Sequence, residues 1–142
     1  MCGRFTLRIS PAELREIFQA TGEFHQRHLY NIAPSQTVAM IRSLAGQRTL
    51  SGGHWGLIPF WAKESKVGYS MINARSETVT TKPSFREPFK KRRCLIPVDG
   101  FYEWRREGKE KTPYFIHRAD DAPFAFAGLW DSWKSPQSGE SI

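Results

Sequence analysis

The chain has 142 residues, 39% hydrophobic and 25% charged, a size and balance that suit one globular domain with an adequate core. No stretch approaches the roughly 20 apolar residues of a membrane span, and no apolar signal region follows Met1, which argues against membrane insertion and export and for a cytoplasmic protein. A net charge of +7 and a pI of about 9.7 suit an anionic partner, of which nucleic acid is the commonest.

Residues 3–9 read as a short strand. Ser10-Pro11-Ala12-Glu13 then reads as a helix start, with Ser10 as N-cap, Pro11 in the first turn and Glu13 closing a capping box. Leu14, Ile17 and Phe18 give that helix one apolar face, and Gly22 follows its end. Residues 30–34 are irregular, 37–41 read as a strand, and 48–57 as another interrupted by Gly52-Gly53. Residues 63–68 are a loop, and a short helix or turn is expected around 76–81. The last third is a strand meander: 94–98, a break at Asp99-Gly100, 101–106, a turn at 107–109, then 114–118 and 124–130. Residues 135–141 form a polar loop, and another strand could start at Ile142. The expected class is α+β, mainly antiparallel sheet or barrel with a few short helices. Residues 1–142 read as a single domain, truncated on its C-terminal side, whose unpaired edges favour association.

Cys2 and Cys94 are the only cysteines and do not form a Cys-x-x-Cys pair. Neither a disulfide framework nor a zinc site is expected: His25 and His28 lie three apart, with no further ligand near in sequence. Cys2 becomes the first residue once Met1 is removed. A terminal cysteine carries an amine titrating near ~8 and a thiol near ~8.5 on adjacent carbons. The amine can condense with an aldehyde and the thiol then close a five-membered thiazolidine ring. Alternatively, the thiolate attacks an acyl carbon with the amine as base. The plainer reading is a small apolar residue at the start of a strand.

Basic residues cluster at Arg86, Lys90, Lys91, Arg92 and Arg93 and again at Arg105, Arg106, Lys109 and Lys111, with Phe89, Phe101, Tyr102 and Trp104 among them. Cations for phosphates and rings for unstacked bases make a single-strand binding surface. The alternative is a solvated charged face over core aromatics.

Five segments read together in order: Met1-Cys2-Gly3-Arg4-Phe5, Tyr30-Asn31-Ile32-Ala33-Pro34, Trp55-Gly56-Leu57-Ile58-Pro59-Phe60-Trp61, Asn73-Ala74-Arg75-Ser76-Glu77-Thr78, and Asp99-Gly100-Phe101-Tyr102-Glu103-Trp104. The chain thereby resembles the SRAP family, named for SOS-response-associated peptidases. The resemblance implies a sensor of abasic sites in single-stranded DNA that crosslinks the ring-opened deoxyribose through its terminal cysteine, associated with the nucleoid and needing no cofactor or metal. By that resemblance Cys2 is the crosslinking residue, Asn73 positions the sugar, and Glu103 is the acid–base carboxylate. Arg4 and Arg75 contact phosphates, while Pro34, Trp61 and Trp104 line the DNA path or wedge beside the lesion. The family's later His-x-Arg-Met-Pro-like motif has no counterpart here. His117 precedes that point, so lyase activity is not expected to be complete.

The chemistry agrees with these roles. Imine formation needs proton transfers that a carboxylate near the amine can perform, and an amide such as Asn73 orients hydroxyls without competing as a nucleophile. A cation at Arg4 would favour the Cys2 thiolate. Three other readings remain: an N-terminal-nucleophile amidotransferase, a self-processing cysteine peptidase, and a non-covalent single-strand binding module. The amidotransferase's Asn-Gly and Gly-Asp dipeptides do not occur. A peptidase usually needs a histidine base, and no histidine stands in a recognisable catalytic motif.

Overall fold

Ser10 folds as its sequence context predicts. Its hydroxyl accepts the Glu13 amide at 3.2 Å while the Glu13 carboxylate accepts the Ser10 amide at 2.8 Å, and Pro11 occupies the first turn. The computed structural model describes residues 2–25, 29–139 and 141–142. Met1, His28 of the histidine pair considered above, and Glu140 of the polar loop lie outside the described residues. The elements are β1 (Phe5–Leu7), α1 (Pro11–Phe18), β2 (Leu29–Ile32), β3 (Thr37–Leu44), β4 (Gln47–His54), a 3₁₀ helix (Ser65–Ser70), α2 (Arg86–Lys91), β5 (Arg93–Val98), β6 (Gly100–Glu107), β7 (Glu110–Ile116) and β8 (Phe124–Leu129). No helix among the described residues is long and apolar enough to cross a membrane.

The strands form two four-stranded sheets, ordered β2-β1-β6-β7 and β4-β3-β5-β8, with every pairing antiparallel. The fold is mainly antiparallel β with a few short helices, as the sequence predicts. Phe5, Leu7 and Ile32 of the first sheet pack with Val38, Ile41, Leu50 and Val98 of the second, and Leu14 of α1 joins them. Aromatic edges stitch the two sheets together: Phe126 meets Phe5 at 6.3 Å and Phe101 at 5.4 Å between ring centres, both near perpendicular.

The chain passes from one sheet to the other at Asp99, whose side chain is buried. Its carboxylate accepts the Thr6 hydroxyl, the Arg8 amide at 2.6 Å and Arg8 Nε at 3.2 Å. A buried charge is tolerated only when so supplied with donors. The contact fixes β1 to the β5–β6 corner. Gly100 follows because a Cβ there would collide with the Phe115 ring.

Several sequence readings change in detail. Gly52-Gly53 does not interrupt β4: Gly52 sits within the strand because a Cβ there would come 2.7 Å from the Phe24 ring. The first helix closes at Gln19, which takes the left-handed conformation with φ 50°. Gly22, with φ 85°, instead allows close contact with the Leu50 carbonyl. The loop expected at 63–68 overlaps the 3₁₀ helix, whose buried Gly68 packs on Gly56. The basic run at 86–91 forms α2, burying Pro88 and leaving Lys90 and Lys91 in the last turn, where cations suit the helix dipole. Residues 76–81 are turns. Ile142 exchanges two 2.9 Å backbone hydrogen bonds with Trp133.

Candidate active site

Cys2 is half-buried just ahead of β1, and β1 fixes where it lies. Phe5 pairs with Phe101 and Thr6 with Gly100 on β6, and the Tyr102 amide donates to the Arg4 carbonyl at 2.9 Å. Carrying this register toward the amino end brings Gly3 level with Glu103, so Cys2 arrives beside that carboxylate. Strand alternation puts Glu103 on the same face of β6 as Phe101, and Tyr102 and Trp104 on the other.

Asn73 comes from a different part of the chain. The Trp55 indole donates to the Ile72 carbonyl at 2.9 Å, and the Leu57 amide donates to the Met71 carbonyl at 3.1 Å. The Trp55 ring lies 5.1 Å from the Phe5 ring of β1. These contacts carry residues 71–73 to the start of β1, where Asn73 Nδ2 donates to the Cys2 carbonyl at 2.7 Å. The structure thus brings Cys2, Asn73 and Glu103 together, although 71 residues separate the first two.

The Cys2 thiol donates to the Arg4 carbonyl at 3.3 Å. Burial pushes its pKa above the ordinary thiol value; a backbone hydrogen bond at Arg4 pulls partway back, and the Glu103 carboxylate pushes it up further. The expectation that Arg4 would favour the thiolate is therefore corrected. The Arg4 guanidinium turns to Asn31 Oδ1, 3.0 Å away on β2, and the thiol stays protonated at neutral pH.

A cavity of about 630 Å³ lies between the sheets, with Cys2 and Asn73 on its wall and Val38, Met40, Phe101 and Phe126 among its apolar lining. The five residues expected to contact DNA lie outside its lining. Pro34 is half-buried in a turn clamped to Trp55, whose carbonyl accepts the Ser35 amide at 2.9 Å and whose amide donates to Gln36 at 3.0 Å. Arg75 is exposed two residues beyond Asn73. Trp61 is 52% exposed, beside Ala62, whose carbonyl accepts the buried Trp133 indole at 2.7 Å. Trp104 is 37% exposed on β6, with the Lys111 ammonium 5.1 Å from its ring centre. No group of three or more histidine, cysteine or acidic side chains arranged for a metal occurs among the described residues.

Sequence reasoning did not single out Asn31, Trp55 or Asp99 individually. The available signal was a polar or bulky residue inside a short motif: Asn31 next to Pro34, Trp55 opening Trp-Gly-Leu, and Asp99 at the strand break.

Cys2 with the distant Asn73 amide bonded to its carbonyl, on a two-sheet antiparallel frame, defines the class as a cysteine-site α+β domain. The family model described as SOS response associated peptidase (SRAP) matches residues 1–142, and the chain belongs to that family. It is 46% identical over 143 residues to the abasic site processing protein YoqW of Bacillus subtilis (strain 168), covering 96% of this chain and 63% of that protein. It is 30% identical over 185 residues to the abasic site processing protein HMCES of Xenopus tropicalis, covering 100% of this chain and 55% of that protein. The crystal structure of a Bacteroides thetaiotaomicron protein superposes with a TM-score of 0.88 at 29% identity, covering 99% of this chain and 64% of that one. The chain therefore spans less than two thirds of the length of each of these relatives.

Proposed function

We propose that this protein captures abasic sites in single-stranded DNA as a covalent thiazolidine on Cys2. The observation that carries the reading is the 2.7 Å bond from Asn73 to the Cys2 carbonyl, which holds the terminal residue in place on a cavity wall beside Glu103. The names of the relatives, which are abasic site processing proteins, support the substrate class.

The chemistry runs as follows once Met1 is removed. The Cys2 amine adds to the aldehyde carbon of the ring-opened sugar, and the resulting carbinolamine loses water to give an imine. Glu103 takes a proton from the attacking amine and returns one to the departing hydroxide. The thiol then adds to the imine carbon, its proton passing to nitrogen. Because the thiol is protonated at neutral pH, the carboxylate beside it has a second task, drawing off that proton as sulfur attacks. Asn73 orients the terminal residue through its carbonyl and offers its amide to sugar hydroxyls. Arg4 and Arg75 supply phosphate contacts, and Trp61, Trp104 and Pro34 supply stacking or wedging surface. Lyase and self-processing peptidase activities are secondary expectations.

The test is incubation of Met1-free protein with an abasic oligonucleotide, followed by heat denaturation and intact mass measurement. An adduct that survives heating, and is lost in Cys2→Ala while non-covalent single-strand binding persists, is the expected result. Undiminished heat-stable adduct in Cys2→Ala overturns the mechanism. Binding without any adduct would make the chain a non-covalent single-strand module, and acyl transfer without adduct would favour the amidotransferase or peptidase reading.

A further inference from the structure

We propose that Trp55 is a positioning residue for ring closure: its indole N–H, held on the Ile72 carbonyl, sets the Asn73 amide against Cys2. The inference rests on the DNA-capture reading of Cys2 and Asn73 and adds to it a residue outside the reacting set. Asn73 reaches Cys2 from residues 71–75, which lie outside any helix or strand, so no ladder of backbone bonds fixes its direction. The Ile72 carbonyl belongs to the same planar peptide unit as the Asn73 nitrogen. The 2.9 Å bond from Trp55 Nε1 to that carbonyl therefore fixes the plane from which the Asn73 side chain departs. The indole is itself fixed. The Trp55 amide donates to the Gln36 carbonyl at 3.0 Å, the Trp55 carbonyl accepts the Ser35 amide at 2.9 Å, and the ring packs on Phe5 of β1 at 5.1 Å between centres. One side chain thus bears on both halves of the 2.7 Å Asn73–Cys2 bond, on β1 through its ring and on the 72–73 peptide through its N–H. Tryptophan suits the task because an indole joins a broad apolar face to a single donor, whereas phenylalanine supplies the face alone.

An amide pinned in this way keeps one N–H on the Cys2 carbonyl and presents its second N–H and its oxygen in a set direction. Such positioning acts on the step within the bound complex. It leaves DNA affinity alone, because phosphate and stacking contacts come from other side chains. Loss of one hydrogen bond of ordinary strength, with the misplacement that follows, corresponds to about five- to twentyfold in rate.

The experiment follows heat-stable adduct formation by Met1-free protein over a range of abasic oligonucleotide concentrations. In Trp55→Phe the rate at saturating DNA should fall about five- to twentyfold, while the half-saturating concentration stays within about twofold of the native value. In an Asn73→Ala background the same substitution should change the rate by less than about twofold, because no amide is left to position. A merely structural role would lower both backgrounds alike. Trp55→3-benzothienylalanine matches the indole in shape and lacks only the N–H, so it should slow the reaction as Trp55→Phe does, and it carries the test should the phenylalanine variant fail to fold. A native rate in the benzothienyl variant, or equal losses in the two backgrounds, overturns the proposal. Hydrogen exchange of the Asn73 side-chain amide, read by NMR without DNA, separates this claim from the reading beneath it. Exchange should be faster in the variant than in the native chain. A native protein that forms no adduct removes the DNA reading, and the positioning claim is then decided by this exchange: equal rates in native and variant chains overturn it.

Discussion

Burial raises the pKa of both thiols, Cys2 and Cys94, and the deeper one makes a prediction at the level of a single residue. Cys94 on β5 is buried, and burial raises its pKa to about 12 from 9.0, with the nearby Arg42 cation opposing only in part. The unfolded thiol releases its proton as pH passes about 9, whereas the folded one keeps it. Folding stability is therefore intact below that pH and falls as pH rises toward 12, by about 1.4 kcal/mol per unit in this window. Denaturant midpoints measured from pH 8 to 11 should decline more steeply for the native chain than for Cys94→Ala; parallel slopes would show that Cys94 does not couple to folding. Arg4 illustrates how a neighbour changes a role expected from sequence. Its guanidinium is held by Asn31, 3.0 Å away, which gives the cation a fixed direction and makes its proposed phosphate contact testable. Arg4→Ala should weaken single-strand binding and flatten the salt dependence by about one phosphate. Asn31→Ala removes the aim but keeps the charge, so affinity should fall by roughly two- to fivefold with the salt slope retained. Fluorescence anisotropy titrations across a salt series distinguish the two, and an Asn31→Ala protein with native affinity would show that the pair does not orient the cation.

At the scale of elements, the site depends on how β1 is anchored. Three residues of strand are too few to hold Cys2 by ladder bonds alone. Asp99 gathers donors from Thr6 and Arg8, and Gly100 lets the Phe115 ring of β7 lie against the start of β6. Gly100→Ala places a methyl where the ring already is, so it should destabilise the fold by about 1–3 kcal/mol and slow adduct formation as β1 shifts. A thermal melt unchanged from the native chain would mean that the ring moves aside freely. Such elements were unequally legible in the sequence. The capping box of α1 is read from Ser10, Pro11 and Glu13 because its bonds are local. The β6–β7 hairpin is read from its alternation and from Glu107-Gly108-Lys109 for the same reason. The basic run at 86–91 hides α2 because charge there masks the burial of Phe85 and Pro88. Gly52-Gly53 looks like a break because the Phe24 ring that requires Gly52 is distant in sequence. The site was legible as a set of motifs, but its partners were not: the Arg4–Asn31 bond and the Trp55–Ile72 clamp are products of sheet register and tertiary packing, which one sequence does not display.

For the whole molecule, net charge and open sheet edges pull in opposite directions. The described sheets end at β2 and β7 on one side and at β4 and β8 on the other. β7 is exposed along its full length; its Glu110-Lys111 end carries charge, but Tyr114, Phe115 and Ile116 at the other end are 47%, 39% and 42% exposed and uncharged. An edge of this kind offers unpaired backbone groups and an apolar margin to another copy. The net charge of +7 on 142 residues holds copies apart at low ionic strength, and salt screens that repulsion over a Debye length of about 10 Å at 0.1 M. Salt should therefore weaken single-strand binding while promoting self-association, two effects of opposite sign from one charge distribution. Sedimentation velocity at 50 mM and 500 mM salt should show a monomer at the first and a rising associated fraction at the second. Ile116→Lys places a cation in the apolar end of the edge and should restore the monomer at high salt. A native chain that stays monomeric under both conditions would show that the β7 edge is protected by its twist and its charged end alone.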